Sequence, residues 1–142
     1  MKNLILLVIL FCIGNFAIAA DPQLLKEGKA LYLQHCNSCH GDAGGMDMSK
    51  RVAPPIFAVR RHYIGSYPDE MSFINAVADW VETRDIQTSL MFGAVRRFNI
   101  MPELIIERDK VEKIAAYIYA GDIVTPAAYE QHYRQRHVVP GN

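Results

Sequence analysis

The hydrophobic residues of the chain recur at the spacing of amphipathic α-helices. In the segment 68–83 they fall on one helical face and comprise Phe73, Ile74, Val77, Trp80 and Val81. A second stripe, in the segment 109–120, comprises Val111, Ile114, Ala115 and Ile118. Both stripes match the 3.6-residue period of a helix, and no segment shows the strict alternation of a half-buried strand. The pattern therefore predicts an all-α fold.

Proline, glycine and acidic residues suggest where other segments begin and end. Asp21 and Pro22 favour the start of a helix over 24–35, because an acidic N-cap followed by proline suits a first helical turn. The segment 41–55 is rich in glycine and ends in two prolines, so it is predicted to be a loop. A shorter helix is predicted over 88–98.

The helix predicted over 109–120 has the clearest terminal signals. Asp109 and Glu112 resemble a capping box, in which each side chain satisfies a backbone N–H of the first turn. Gly121 follows the last residue of the stripe, and glycine is common just beyond a helix. We therefore expect this helix to begin at Asp109 and to end before Gly121.

Residues 1–20 differ in kind from the rest, since Lys2 is their only charged residue and a long apolar run follows it. This composition is typical of a signal peptide, with cleavage after Ala19 or Ala20. The apolar run is shorter than the roughly 20 residues that a membrane-spanning helix needs. Cys12 should leave with the signal. We expect export to the periplasm, and membrane association only if the segment stays uncleaved as an anchor.

The remaining chain is expected to form one domain over 21–121, followed by a C-terminal extension over 122–142. Tyr129, Tyr133 and His137 recur every four residues, so the extension is predicted to be a helix packed on the domain. The full chain has 142 residues, with 15 Lys+Arg and 15 Asp+Glu. This balance gives no electrostatic reason to expect nucleic acid as a partner.

The strongest chemical signal is the sequence Cys36-Asn37-Ser38-Cys39-His40. In a C-x-x-C-H motif each thiol can add across a haem vinyl group, and the imidazole of the next residue can reach the iron. Two intervening residues place both sulfurs along one edge of the porphyrin. The motif predicts one haem c, held by Cys36 and Cys39 and ligated by His40, because the chain contains no second copy.

Two other readings of the cysteine pair fit less well than haem attachment. A redox disulfide of the thioredoxin type favours alternating strands and helices around the motif, and the sequence does not show them. A structural zinc site needs four ligands. The remaining histidines considered for it, His62, His132 and His137, form no second clustered pair.

The order of these features resembles that of class I monohaem cytochromes c. A helix leads into the C-x-x-C-H motif, a Gly/Pro loop and further helices follow, and a Met-Pro sequence precedes a last helix. Gly28, Tyr32 and Tyr117 resemble the small residue and the aromatics through which the terminal helices of that family cross. The resemblance implies a small, all-α, cytochrome c-like domain wrapped around one covalently attached haem.

Met101 is the candidate for the iron ligand opposite His40. Pro102 disfavours helix at the residue before it, so Met101 should lie in an extended loop. Met71 and Met91 fall within predicted helices and are assigned to core packing. Met46 and Met48 follow His40 too closely to reach the opposite haem face. His62 is the alternative sixth ligand.

The same resemblance extends to residues around the haem. The sequence Ala53-Pro54-Pro55-Ile56 resembles the family's proline loop, whose proline carbonyl accepts the proton of the ligating histidine and so tunes the iron. Pro54 is the matching position, and Pro55 is its neighbour. Candidates to bind the haem propionates are Trp80, Tyr63, Tyr67, Arg60, Arg61, Arg96 and Arg97.

The function expected from these features is single-electron transfer by a His/Met-ligated haem, with redox proteins docking transiently near the haem edge. No acid/base constellation indicates an enzyme. Alternatives are an electron-delivering subunit of a periplasmic oxidoreductase complex and a haem-based sensor of ligands or redox state. A basic rim around the haem is also expected, formed by Lys50, Arg51, Arg60, Arg61, Arg96 and Arg97.

Overall fold

The structure, a computed structural model, describes residues 21–41 and 45–137 and is all-α, with no strand in those ranges. Its seven α-helices are α1 (Pro22–His35), α2 (Asn37–His40), α3 (Ile56–Ser66), α4 (Glu70–Thr83), α5 (Phe92–Phe98), α6 (Arg108–Ala120) and α7 (Ala127–His137). Short 3-10 turns cover Met48–Lys50 and Ile86–Thr88. The predicted fold class is confirmed.

Helix α1 begins at Pro22, two residues before the predicted segment, with Asp21 as its predicted N-cap, and it crosses α6 at a glycine. The Asp21 carboxylate accepts a hydrogen bond from the Gln23 backbone N–H at 2.9 Å. At the crossing, a Cβ on Gly28 would overlap the Lys113 carbonyl oxygen and lie 2.9 Å from Tyr117 Cβ. The backbones of the two helices therefore approach more closely than any other residue at position 28 would allow.

Aromatic contact and burial support this crossing. The Tyr32 and Tyr117 rings lie 5.6 Å apart, and both side chains are buried. The predicted packing of the first helix on the last is therefore confirmed. Helix α6 also packs on α4, and the residues that fill the space between these helices include Phe73, Val77, Ile114, Ala115 and Ile118.

Helix α3 is an element that the sequence pattern did not predict. Its first turn buries Ile56, Phe57 and Ala58, and Tyr63 is buried two turns later. Pro55 precedes it as N-cap and its carbonyl oxygen accepts hydrogen bonds from the Ala58 and Val59 N–H groups. The apolar residues at the start of α3 are consecutive and arginines follow them, so they form no apolar stripe on one side of the helix. The helical period of hydrophobicity in this segment is therefore weak.

One predicted helix start and one predicted cap are wrong. Helix α5 begins at Phe92 rather than at 88, because a 3-10 turn and an extended Ser89 precede it. Helix α6 begins at Arg108, with Glu107 as N-cap and no side-chain capping hydrogen bond. Asp109 therefore lies inside the first turn and does not form the predicted capping box.

Helix α7 lies in the segment predicted as a C-terminal extension, and it contacts α3. Its Tyr129 ring packs against Phe57, with centroids 5.0 Å apart. Its Tyr133 is buried beneath the Arg61 guanidinium, which stands 4.2 Å from the ring centroid. Arg61 also pairs with Glu130 at 3.2 Å. The domain boundary at residue 121 stays a prediction.

The predicted signal peptide, with Cys12, and the chain end after His137 lie outside the described residues. Among the helices of the described part, none combines the length and the apolar character needed to cross a bilayer.

The crossing at Gly28 predicts the effect of a single methyl group. Gly28→Ala should lower the free energy of unfolding by about 1–3 kcal/mol, as overpacking a tight contact does. Gly93→Ala is the matched control, because Gly93 is also helical and an added methyl group there would meet no atom within 4 Å. It should be neutral or stabilising. Denaturant unfolding measures both, and equal effects would contradict the close crossing.

Candidate functional site

A cavity of about 350 Å³ lies beside α6, and most of its wall is apolar. Helices α3, α4 and α6 supply much of that wall through Val59, Tyr63, Val77, Trp80, Ile114 and Ile118. The stripes that predicted α4 and α6 therefore face both the core and this cavity. A cavity with such walls suits a large apolar group.

The C-x-x-C-H motif contributes side chains to the cavity wall. Helix α1 ends at His35, and the chain then turns into the single-turn helix α2, in which the His40 N–H donates to the Cys36 carbonyl oxygen at 2.9 Å. Cys36, Cys39 and His40 all line the cavity. Because one turn separates the two cysteines, both thiols are presented along the same wall.

Both cysteines are free thiols. Burial, and secondarily the neighbouring Cys39, raise the pKa of Cys36 to about 11. Within residues 21–41 and 45–137, no three His, Cys, Asp or Glu side chains are grouped as a metal site. The arrangement thus presents two thiols that form no disulfide at an apolar cavity.

His40 is oriented by the backbone of the following loop. Its Nδ1 lies 2.8 Å from the Pro54 carbonyl oxygen. Since a carbonyl can only accept, Nδ1 carries the proton and Nε2 keeps its lone pair. Burial, and to a smaller extent Arg51, lower the pKa of His40, against the opposing effect of the Pro54 bond. Burial thus favours the neutral imidazole, the form that binds a metal.

The hydrogen bond from His40 also distinguishes the role of Pro54 from that of Pro55. The Pro55 carbonyl oxygen already accepts hydrogen bonds from Ala58 at 2.9 Å and Val59 at 3.2 Å in the first turn of α3. The Pro54 carbonyl precedes that helix and is available to His40. The geometry is thus the one that the proline-loop resemblance implies for position 54.

Two methionines line the cavity, and the sequence indicated only one. Met101 precedes Pro102 in the non-helical segment between α5 and α6, as expected. Met91, assigned to the interior of a helix, is instead the N-cap of α5 and also lines the cavity. Sequence reasoning missed Met91 because the helix was started too early.

The other candidate ligands lie elsewhere. Met71 is exposed, at 66% of its full accessible area, so its assignment to the core is wrong. His62 packs on α7, with its ring centroid 5.1 Å from that of Tyr133 and 4.8 Å from that of His137. Neither residue lines the cavity. The geometry thus gives no support to His62 as the sixth ligand.

The predicted basic rim is wrong for three of its six residues. Arg51 is buried and donates to loop carbonyls. Arg60 donates to the carbonyl oxygens of Tyr119 and Ile123, near the end of α6. Arg61 contacts α7 through Glu130 and Tyr133. The remaining members are Lys50, which pairs with Asp47 at 3.2 Å, and the exposed Arg96 and Arg97.

Of the proposed propionate partners, only Tyr63 and Trp80 line the cavity. Tyr63 is buried, and burial raises the pKa of its hydroxyl well above the ordinary value. It therefore remains a neutral donor. Ser89 is a buried polar residue of the cavity wall that sequence reasoning missed, and its hydroxyl accepts from the Met91 N–H at 3.1 Å.

Comparisons with known proteins agree with this fold. A family model described as "Cytochrome C oxidase, cbb3-type, subunit III" matches residues 23–118. An uncharacterized protein of Aquifex aeolicus (strain VF5) is 26% identical over 117 residues, covering 71% of this chain and 77% of that protein. No solved structure matches the chain.

The match covers more than half of the chain and includes the C-x-x-C-H motif, the cavity and Met101. The chain is a cytochrome c domain. It belongs to the family described as cbb3-type cytochrome c oxidase subunit III, whose cytochrome c character implies a c-type haem and electron transfer. The narrower resemblance to class I members stays a prediction. Helix α7 lies beyond the matched residues.

The location of His62 predicts how the stability of the protein depends on pH. Burial first, and then His137 and Arg61, lower the pKa of His62 to about 4, below its ordinary 6.5. The unfolded chain therefore binds this proton at a higher pH than the folded chain, so stability should fall as pH drops from about 6.5 to about 4. His62→Phe should lose less stability over that interval, measured by urea unfolding.

The visible spectrum of the same variant provides the control. Because His62 does not line the cavity, the spectrum of His62→Phe should equal that of the wild type. A changed spectrum, or an unaltered loss of stability as the pH falls through that interval, would contradict the assignment of His62 to the contact with α7.

Proposed function

We propose that this protein is a single-electron carrier that holds one haem c covalently through Cys36 and Cys39, with His40 and Met101 as the iron ligands. The proposal rests on the observation that all four side chains line one apolar cavity. The motif and the methionine are far apart in sequence, so only folding brings them to the same cavity.

The residues present suit such a group. The two free thiols can form thioether bonds, and the apolar wall suits a porphyrin. The lone pair on His40 Nε2 is free because Nδ1 donates to Pro54. A thioether opposite an imidazole is a soft, uncharged ligand that raises the reduction potential. The bound haem would supply reversible one-electron chemistry at its iron.

The chain's own residues would hold that centre in place and keep water from it. Pro54 fixes the imidazole orientation through the 2.8 Å contact, which tunes ligand basicity. Pro102 keeps Met101 out of helix, so the thioether is free to point inward. Two ligands from the protein leave no open position for a substrate, which supports a carrier rather than an enzyme.

Partners would approach where the cavity opens. Cys39 is exposed, and Val52 is 69% exposed although it lines the cavity. Ile100, also on the wall, is 40% exposed. We propose that redox proteins dock transiently over this opening, since electron-transfer interfaces are small. The apolar start of the chain supports a periplasmic location.

A second candidate is the electron-delivering subunit of a larger oxidoreductase. The observation that favours it is the description of the matching family, which names an oxidase subunit. Purification from the native source without detergent and with mild detergent discriminates the two. A free 1:1 haem protein supports the carrier, and stable co-purification with a catalytic chain supports the subunit.

Covalent attachment is the first prediction of this proposal. Acid-acetone extraction should leave the colour on the protein, and the mass should exceed that of the mature polypeptide by one haem. Cys36→Ser should retain haem through one thioether only, and the Cys36→Ser/Cys39→Ser variant should lose it on extraction. Pigment that washes out of the wild type would contradict the proposal.

The second prediction compares the two methionines of the cavity. Met101→Ala should abolish the weak ferric absorption band of methionine coordination near the red edge of the spectrum, lower the midpoint potential, and allow the ferrous protein to bind carbon monoxide. Met91→Ala should retain the wild-type behaviour in all three measurements and lower the free energy of unfolding by about 2 kcal/mol, the low end for losing a methionine side chain.

The comparison is decisive because both side chains line the same cavity. If Met91→Ala loses the band and Met101→Ala keeps it, the ligand is Met91. If neither variant changes the spectrum, methionine ligation is wrong.

A further inference from the structure

Arg51 is a buried cation beside the C-x-x-C-H motif, with only 7% of its surface exposed. Its Nη1 donates to the Gly41 carbonyl oxygen at 2.7 Å, and its Nε donates to the Gly45 carbonyl oxygen at 2.9 Å. Gly41 directly follows His40. The guanidinium therefore joins the end of α2 to the loop that leads to Pro54.

The charge of Arg51 is not balanced by a carboxylate in the described part of the chain. None of the ion pairs there includes it, and its Nη2 is buried without a hydrogen-bond partner. Burying a charge is costly unless it is paired. Two carbonyl dipoles and one unused donor leave a net positive field inside this part of the domain.

That charge lies close to the backbone of His40. Arg51 Nη1 donates at 2.7 Å to the carbonyl oxygen of Gly41, the residue bonded to His40. Reduction of a haem iron adds one negative charge beyond the His40 imidazole. A buried cation interacts favourably with that added electron, and screening by salt is weak in the interior.

We propose that Arg51 is a positioning and potential-setting residue: it fixes the loop behind His40, and its buried charge favours the ferrous state of the bound haem. This inference rests on the proposed function. It concerns a residue that does not itself line the cavity, and it accounts for an arginine that is buried with no carboxylate partner among the described residues.

The chain offers a matched control in Arg60. Its guanidinium also donates to two backbone carbonyl oxygens, those of Ile123 at 3.1 Å and Tyr119 at 2.8 Å. Its Nε is likewise buried without a partner. These contacts lie at the end of α6, and Arg60 does not line the cavity. Removing either arginine should cost stability, but only Arg51 should affect the haem potential.

The experiment is a redox titration of the haem-loaded wild type, Arg51→Met, Arg51→Lys and Arg60→Met. At a fixed applied potential, Arg51→Met should raise the ferric-to-ferrous ratio about tenfold, which is about 59 mV for a one-electron couple. Arg51→Lys, which keeps a charge in a less rigid position, should raise it by about threefold, or about half of that shift in potential. Arg60→Met should leave it unchanged while unfolding at lower denaturant concentration.

Equal ratios in the wild type and Arg51→Met, or equal shifts in Arg51→Met and Arg60→Met, overturn the inference. If Arg51→Met does not accumulate, Arg51→Gln is titrated in its place with the same expectation. If no neutral variant accumulates, the ratio in Arg51→Lys decides, and an unchanged ratio overturns the inference. A wild type without covalent haem overturns the proposed function and this inference together, whereas haem-loaded proteins of equal potential overturn this inference alone.

Discussion

The close crossing of α1 and α6 at Gly28 is the contact on which the rest of the structure depends. The end of α1 carries Cys36 directly into α2, and α6 supplies Ile114 and Ile118 to the cavity wall. The crossing therefore sets the distance between the thiols and the apolar surface opposite them. A side chain at position 28 would meet the Lys113 carbonyl and separate the two helices. Packing at one glycine thus determines whether the motif faces a cavity of the right shape.

Backbone groups determine the chemistry of the candidate site as much as side chains do. The Pro54 carbonyl selects the tautomer of His40, and the Gly41 and Gly45 carbonyls hold a buried guanidinium behind it. Pro102 keeps Met101 outside a helix. Each of these arrangements places a polar or ligating atom in an otherwise apolar interior. Each of them lies in a loop between helices. The helices form the cavity wall, and the loops set the orientation and electrostatic surroundings of the polar groups beside it.

The structure could be predicted from the sequence where a residue type permits few backbone conformations. The period of α4 and α6 and the cap of α1 at Asp21 follow from helix geometry and capping rules and were predicted correctly. The crossing at Gly28 was implied by the resemblance to class I cytochromes c, and the structure has it. Helix α3 was missed because its buried residues are consecutive rather than periodic. The cavity role of Met91 and the burial of Arg51 were missed because each depends on tertiary contacts. An arginine in a loop is usually solvated, and only the surrounding carbonyls show that this one is not.

The central claim, one haem between His40 and a cavity methionine, is tested most directly by NMR of the ferrous protein labelled with 13C at its methionine methyl groups. A methyl group held over a porphyrin ring is shifted strongly upfield by the ring current. We expect one such resonance, assigned by its loss in Met101→Ala. No upfield methyl, or one that belongs to Met91, would contradict the claim that Met101 ligates the iron.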